Sequence, residues 1–191
     1  MACLLTAGRG LECRDSVGGI RNIYFSNHNT MGAYTIDSDG ELDDLGTASS
    51  VYKYELIPQG SDFNEAITVS EENGTVFYEQ TLNLMLPNLS KDALKNLKIL
   101  VQGRFQIFIE DNNINETTGF GDLYLAGAYN GATVTAGTVA RGKAFGDASG
   151  ETLTIIGREQ AAAYIVAPSA TSAATIFGGL TTTANVPTIV E

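Results

Sequence analysis

The residues of this chain with the clearest chemical potential are the carboxylates of one short acidic segment. Asp37, Asp39, Glu41, Asp43 and Asp44 lie within residues 37–44, spaced around a glycine as ligands are in a calcium loop. The segment lacks the glycine at the sixth position and the glutamate at the twelfth that a helix–loop–helix calcium site requires. We therefore favour a solvated acidic loop over a metal site.

Other reactive residue types are few and isolated. His28 is the only histidine, and no neighbouring nucleophile and acid orient it for catalysis, so a loop or surface histidine is expected. Cys3 and Cys13 are expected to be reduced thiols rather than a disulfide or a shared metal site. The glycine-rich stretches lack the Lys-Ser/Thr ending of a phosphate loop. The sequence predicts no enzyme, no cofactor and no metal.

Charge is strongly acidic and unevenly distributed. The net charge is −11; residues 37–72 hold ten acids against Lys53, whereas residues 89–104 hold four bases against Asp92. Affinity for DNA comes chiefly from lysine and arginine contacts to phosphates. Sequence-specific binding of nucleic acid is therefore not expected.

The amino-acid composition favours a β protein that forms oligomers. The chain has 21 glycines, four prolines and no tryptophan, and only 17% of its residues are charged, below the usual share of about a quarter. Neutral surface of this extent suggests contacts between subunits. No apolar run is long enough to cross a bilayer and the first ten residues do not resemble a secretory signal, so a soluble protein made in the cytoplasm is expected.

The central unit of the chain is predicted to span residues 75–131. Residues 75–86 alternate in polarity as a strand does. Pro87 cannot donate to a sheet ladder, and Ser90 offers its side chain as the N-cap of a helix over 91–102.

The predicted helix is amphipathic. Leu94, Leu97 and Val101 form an apolar stripe that should face the core. The opposite face carries three lysines, Lys91, Lys95 and Lys98. This face is either solvated or paired with acids of a neighbouring subunit. Gly103 is expected to end the helix in the left-handed conformation.

Several further strands are predicted around this unit. The strand that begins at Phe105 is followed by an acidic turn and another strand, and Asn130-Gly131 predicts a tight hairpin to the strand after it. The remaining strands are predicted within residues 20–25, 51–57, 63–69, 132–137, 151–159 and 161–167.

The predicted fold is mainly β: a two-sheet sandwich or flattened β-barrel with one flanking α-helix. Residues 1–166 form the domain, with a long loop at about 26–50 that a short hairpin near residues 34–36 could pinch. Residues 167–191 form a C-terminal arm. The arm could be mobile or could dock on a neighbouring subunit as a strand through Ile176, Phe177, Ile189 and Val190.

The order of these features resembles a known family. A strand ending in "LP", a basic amphipathic helix, a strand, an acidic turn, "LYLAGAYNGATVT" and "GKAFGDASGETLTIIGRE" together resemble the tail tube proteins of tailed bacteriophages over about residues 51–166. The opening "LLTAGRGLECRDSVGGIRNIYF" is also typical of phage structural proteins. The resemblance implies a virion tail protein, assembled in the host cytoplasm, that forms rings of usually six copies. Its strands would join those of neighbours into an inner barrel, and the rings would stack into a tube.

The resemblance also suggests roles and partners. Residues 26–50 are expected to contact stacked rings, and some of Asp37, Asp39, Glu41, Asp43 and Asp44 to line a channel that repels DNA phosphates within ~8 Å. Partners would be further copies of the chain, other tail or neck proteins, and DNA passing without specific binding. Two alternatives remain: a head–tail adaptor ring of the same fold that does not polymerise, and a decoration or carbohydrate-binding module of the virion surface.

Overall fold

The computed structural model of the protein describes residues 8–10, 16–38, 40–46, 50–116, 119–166, 177 and 188–191. It contains twelve strands and one helix within these residues. In chain order they are β1 (Ile20–Asn27), β2 (Thr35–Ile36), β3 (Leu42–Asp44), β4 (Ser50–Glu55), β5 (Asp62–Ser70), β6 (Thr75–Pro87), α1 (Lys91–Gln102), β7 (Phe105–Asp111), β8 (Leu123–Ala126), β9 (Ala132–Ala140), β10 (Gly150–Glu159), β11 (Tyr164–Ile165) and β12 (Thr188–Val190). The predicted mainly β fold with one helix is confirmed.

Ten strands form one large mixed sheet, and β2 pairs with β3 in a small second sheet. The hydrogen-bonded order is β12-β4-β1-β7-β9-β10-β6-β5, with β8 beside β7 and β11 beside β8. Strand β7 meets β9 only where Phe105 lies opposite Ala132. The large sheet therefore divides at β7 into two parts. We call β9-β10-β6-β5 the four-stranded sheet, and β4-β1-β7-β8 the second layer.

Two hydrophobic cores lie on opposite faces of the second layer. Alternation along β1 sends Ile23 and Phe25 into the first core and Tyr24 into the second. The first core joins the second layer to the four-stranded sheet and to α1 through residues that include Leu82, Leu84, Leu100, Ile107, Leu153 and Ile155. The second core contains Met31, Leu42, Leu45, Val51, Phe108, Leu125 and Phe177. The arrangement is consistent with a β sandwich.

The start of α1 follows its prediction, whereas its end does not. The Ser90 side chain accepts a hydrogen bond from the Ala93 amide at 3.0 Å, as an N-cap does. Gly103 has φ −89° and an extended conformation, so the predicted left-handed ending is wrong. The chain turns directly into β7 here, and a side chain at position 103 would collide with the Phe105 ring. Glycine is needed for close packing.

The tight hairpin predicted at Asn130-Gly131 is also wrong. Strand β8 pairs with β7 and β11 rather than with β9. Gly131 does adopt a left-handed φ of 72°, but its turn belongs to residues 127–131, which carry the chain from the second layer to the four-stranded sheet.

Both segments predicted to be irregular contribute to the second core. Within the loop at 26–50, β2 and β3 form the short hairpin, and Met31, Leu42 and Leu45 are fully buried. From the predicted arm, Phe177 is also fully buried, and β12 pairs in parallel with β4. These parts of the arm dock on their own chain rather than on a neighbour, whereas Ile176 lies outside the described residues.

Candidate functional site

The predicted acidic residues lie in and beside the β2–β3 hairpin. Asp37 Oδ1 accepts a hydrogen bond from the Glu41 amide at 2.9 Å, and Asp44 Oδ1 accepts one from the Gly46 amide at 3.2 Å. Asp43 is half-buried, and Asp39 lies outside the described residues. Across the described chain no three histidine, cysteine or acidic side chains are grouped to hold a metal ion. Asp37 and Asp44 therefore act within the hairpin, by fixing its turns.

The hairpin lies on the side of the molecule opposite the four-stranded sheet. Its Leu42, together with Leu45 just beyond it, packs in the second core, whereas the four-stranded sheet packs in the first. The second layer therefore separates the acidic residues from the four-stranded sheet.

The helix exposes more than its lysine face. Lys91, Lys95 and Lys98 are exposed as predicted, and none of them forms an ion pair with another described residue. Leu94 and Val101 are also exposed, at 36% and 52%, so the prediction that they pack in the core is wrong. The helix lies at the margin of the first core, and only the side of Leu97 and Leu100 reaches it.

Two long strand edges are free in the described structure. Strand β5 pairs with β6 alone, in an unbroken register from Asp62 to Ser70. Strand β9 pairs with β10 along its length, but on its other side only Ala132 has a strand partner. Both borders of the four-stranded sheet therefore present backbone N–H and C=O groups that could pair with another strand.

These free edges lack proline and lysine, two of the features with which proteins block edge pairing, although β9 has a register shift at Thr135. Neither β5 nor β9 contains proline or lysine, and residues 133–140 carry no charge. The acids of β5 are engaged: Asp62 accepts a hydrogen bond from Asn83 at 3.1 Å, and Glu65 accepts one from Gln80 at 3.0 Å. Such edges are prone to add a further strand.

An apolar strip continues the core face of β5 and β6 beyond the core. Phe63 packs against the first core, and Ile67 and Val69 follow on the same face. Val76 lies opposite Val69 in the register. Ile67, Val69 and Val76 are 62%, 60% and 50% exposed. These three residues, which we call the β5–β6 strip, form a surface suited to a partner.

The other face of the four-stranded sheet is polar and nearly neutral. Side-chain hydrogen bonds cross it from Thr138 to Thr152 at 2.6 Å and from Thr154 to Asn83 at 3.1 Å. Arg158 pairs with Glu79 at 2.8 Å. This face therefore consists mainly of hydroxyl and amide groups, and its arginine is neutralised.

A buried polar network joins the two parts of the molecule. Gln80 accepts a hydrogen bond from the Gly127 amide at 2.8 Å and donates one to Glu65. Glu159 accepts bonds from the amides of Tyr129 and Asn130 at 3.1 and 2.7 Å. Burial raises the pKa of Glu159, while these amide bonds oppose the shift. The network fixes residues 127–131, and the sequence signal for it is polar residues at core-facing strand positions.

A groove of about 760 Å³ separates α1 from β4. Glu151 lies in its lining together with Phe25 and Phe105. The Glu151 side chain is buried, its Oε2 has no hydrogen-bond partner within the described chain, and burial raises its pKa. The other acids that line the groove, Glu55, Asp92 and Glu191, are exposed.

No helix within the described residues is long and apolar enough to cross a bilayer.

Comparisons with known proteins leave the family open. No protein-family model matches the chain, and no curated protein or solved structure matches it.

Proposed function

We propose that the protein is a virion structural protein: a tail tube subunit of a tailed bacteriophage, without enzymatic activity, that forms stacked rings around a DNA-conducting channel. The resemblance of residues 51–166 suggests this function. The observation that carries the proposal is the pair of free edges at β5 and β9.

The directions of the two edge strands suit ring closure. Each neighbouring pair in the four-stranded sheet is antiparallel, so β5 and β9 run in opposite directions. Rotation about an axis along the strands leaves strand directions unchanged. When β5 of one copy adds to β9 of the next, the pair is therefore antiparallel and the alternation continues around the ring. At unchanged height Asn64 of β5 is level with Thr133 of β9, so closure pairs the overlapping parts of the two free edges.

The size of such a ring is suitable for a channel. If six copies each contribute four strands, spaced about 4.8 Å apart, the barrel circumference is about 115 Å and its backbone diameter about 37 Å. Tilted strands widen the barrel further. After allowance for inward side chains, this interior leaves space for a DNA duplex.

The polar face of the four-stranded sheet would line the channel, because the opposite face packs in the first core. That face carries Asp62 and the paired Glu79 and Arg158. It is weakly acidic and offers no unpaired base among the described residues, so phosphates find no strong binding site. The β2–β3 hairpin would lie outside this layer, and we assign it to contacts between rings.

The test is to observe assembly directly and to block one edge. Purified protein at high concentration is expected to form tubes of variable length in negative-stain images. Isolated rings would instead favour the head–tail adaptor, and a monodisperse monomer would contradict the proposal.

The variant Asn64→Lys places a charge on the free edge of β5, level with Thr133 of β9, and is expected to reduce assembly by about tenfold or more. Gln160→Lys makes the same change of charge at an exposed position after β10 and serves as the control. Mass measured by light scattering gives the assembled fraction, and equal loss in both variants would exclude edge pairing as the cause.

A further inference from the structure

We propose that α1 of one copy packs, through Leu94 and Val101, on the β5–β6 strip of the neighbouring copy. The inference rests on the ring of the proposed function. It adds side-chain contacts between neighbouring copies to the backbone pairing of their strand edges. The exposed flank of α1 and the β5–β6 strip are then each covered by another copy of this chain.

The first step concerns which way the exposed flank of α1 faces. Ile99 lines the groove on the β4 side, above Glu151 of β10 and Leu86 of β6. Leu94 and Val101 do not line the groove, and the helical repeat places them on the opposite flank from Ile99. Since α1 packs on β9, this opposite flank lies above the free edge of β9.

The second step concerns the side on which the strip would arrive. Strands that pair in a sheet keep their side chains in register, so each face continues from one strand to the next. Val134 of β9 packs against the first core, the side on which α1 lies. When β5 of the neighbour adds beside β9, its core face, with Ile67 and Val69, continues on that same side. The strip then lies on the side of the sheet that α1 covers, toward the start of β9.

The position of the C-terminal end of α1 relative to the β5–β6 turn also supports the contact. The C-terminal end of α1 leads to Phe105, which lies opposite Ala132 at the start of β9. Ala132 lies opposite Gly157 of β10, and the nearby Glu159 lies opposite Tyr78, close to the β5–β6 turn. Val101 and the turn are therefore at the same end of the four-stranded sheet. Rotation around the ring preserves this, so the strip of the next copy lies toward the Val101 end of α1.

Charge complements the apolar contact. The lysines of α1, which form no ion pair with another described residue, include Lys98, one turn before Gln102 and next to the flank of Leu94 and Val101. The β5–β6 turn carries the exposed acids Glu71 and Glu72. In the proposed contact these acids approach the lysine face from the neighbouring copy, which favours the correct partner and orientation.

Cysteine crosslinking between copies tests the contact. In a Cys3→Ser, Cys13→Ser background, one preparation carries Val101→Cys and the other Val69→Cys, and the two are mixed, assembled and treated with a short bismaleimide. A crosslinked dimer is expected only in the mixture. Ile99→Cys, which is 55% exposed on the opposite flank, replaces Val101→Cys in the control and is expected to give little dimer.

A second mixture, of Asn64→Cys with Thr133→Cys, reports edge pairing independently, because the registers place these two exposed residues at the same height. If this mixture crosslinks while Val101→Cys does not, the helix contact is wrong and the ring stands. If assemblies form without crosslinks in either mixture, the proposed edge pairing fails. Equal crosslinking by Ile99→Cys and Val101→Cys would also overturn the helix contact.

Assembly energetics give a second readout. Val101→Asp is expected to raise the concentration needed for assembly by about tenfold or more, because it places a charge in a buried contact. Ile99→Asp should change it by less than about twofold. Circular dichroism must show that both monomers remain folded, and an unchanged assembly concentration for folded Val101→Asp would refute the inference.

Discussion

The large sheet ends in two different ways. At one end, β12 adds three residues beside β4 and Phe177 fills the second core, so the chain closes that border with its own C-terminal residues. At the other end, β5 presents nine residues with no partner beyond β6 in the described structure. Short edge strands limit unwanted pairing, whereas a long regular edge favours it. The first border stabilises the single chain, whereas the second is open to pairing with another strand.

The closed border can be broken by Phe177→Ala. The Phe177 ring is fully buried and packs edge-on against Phe108 and Tyr24, with centroids 5.0 and 5.5 Å away. Its loss should lower the free energy of unfolding by about 3–5 kcal/mol. Urea unfolding, at a concentration where the chain is monomeric, measures this change. A loss below about 1 kcal/mol would show that the C-terminal residues do not stabilise this border.

A smaller effect is expected at Glu151, within the four-stranded sheet. Because burial raises its folded pKa above the unfolded value, this group favours folding most at low pH, and the benefit is lost as pH rises from the unfolded toward the folded pKa. Glu151→Gln should therefore stabilise the protein at pH 7 by about 1 kcal/mol. The gain should disappear below about pH 4. Unfolding curves at both pH values test this, and a gain that persists in acid would exclude the charge as its cause.

The smallest effect on stability is expected at the open border. Ile67→Ser alters a residue that is mostly exposed in the single chain, so the free energy of unfolding should change by less than about 0.5 kcal/mol. Assembly should nevertheless weaken, because the β5–β6 strip is then less apolar. Unfolding of the monomer and light scattering of the assembled protein are compared on the same samples. A large loss of monomer stability would mean that the strip is covered within its own chain.

Much of the local structure could be predicted because its causes are local. Ser90 and the spacing that follows it fixed the start of α1, and alternation correctly placed β6, β7 and β10. The errors arose where distant segments meet. Gly103 is required by the Phe105 ring, and the Asn130-Gly131 turn connects two layers rather than two paired strands.

The candidate site was predicted less well than the fold. The acidic residues and lysines of the sequence were expected to carry function, and Lys91, Lys95 and Lys98 are exposed as predicted. Pairing of strand edges between copies was expected, but neither the strands that lie at the edges nor the β5–β6 strip was predicted as a site, although β5 was predicted as a strand. An apolar residue of a strand has the same pattern whether its face is covered or not, so exposure at Ile67 and Val69 required the folded chain.

The sequence by itself determined the strands, the helix and its cap, and the acidic balance, since these depend on neighbouring residues and on composition. The tertiary structure alone decided which strands lie at a border. That choice depends on pairings between segments far apart in the chain, such as the single backbone pairing of β7 with β9, at Phe105 and Ala132. Backbone hydrogen bonds have the same chemistry at every position, so no local pattern shows where the pairing stops.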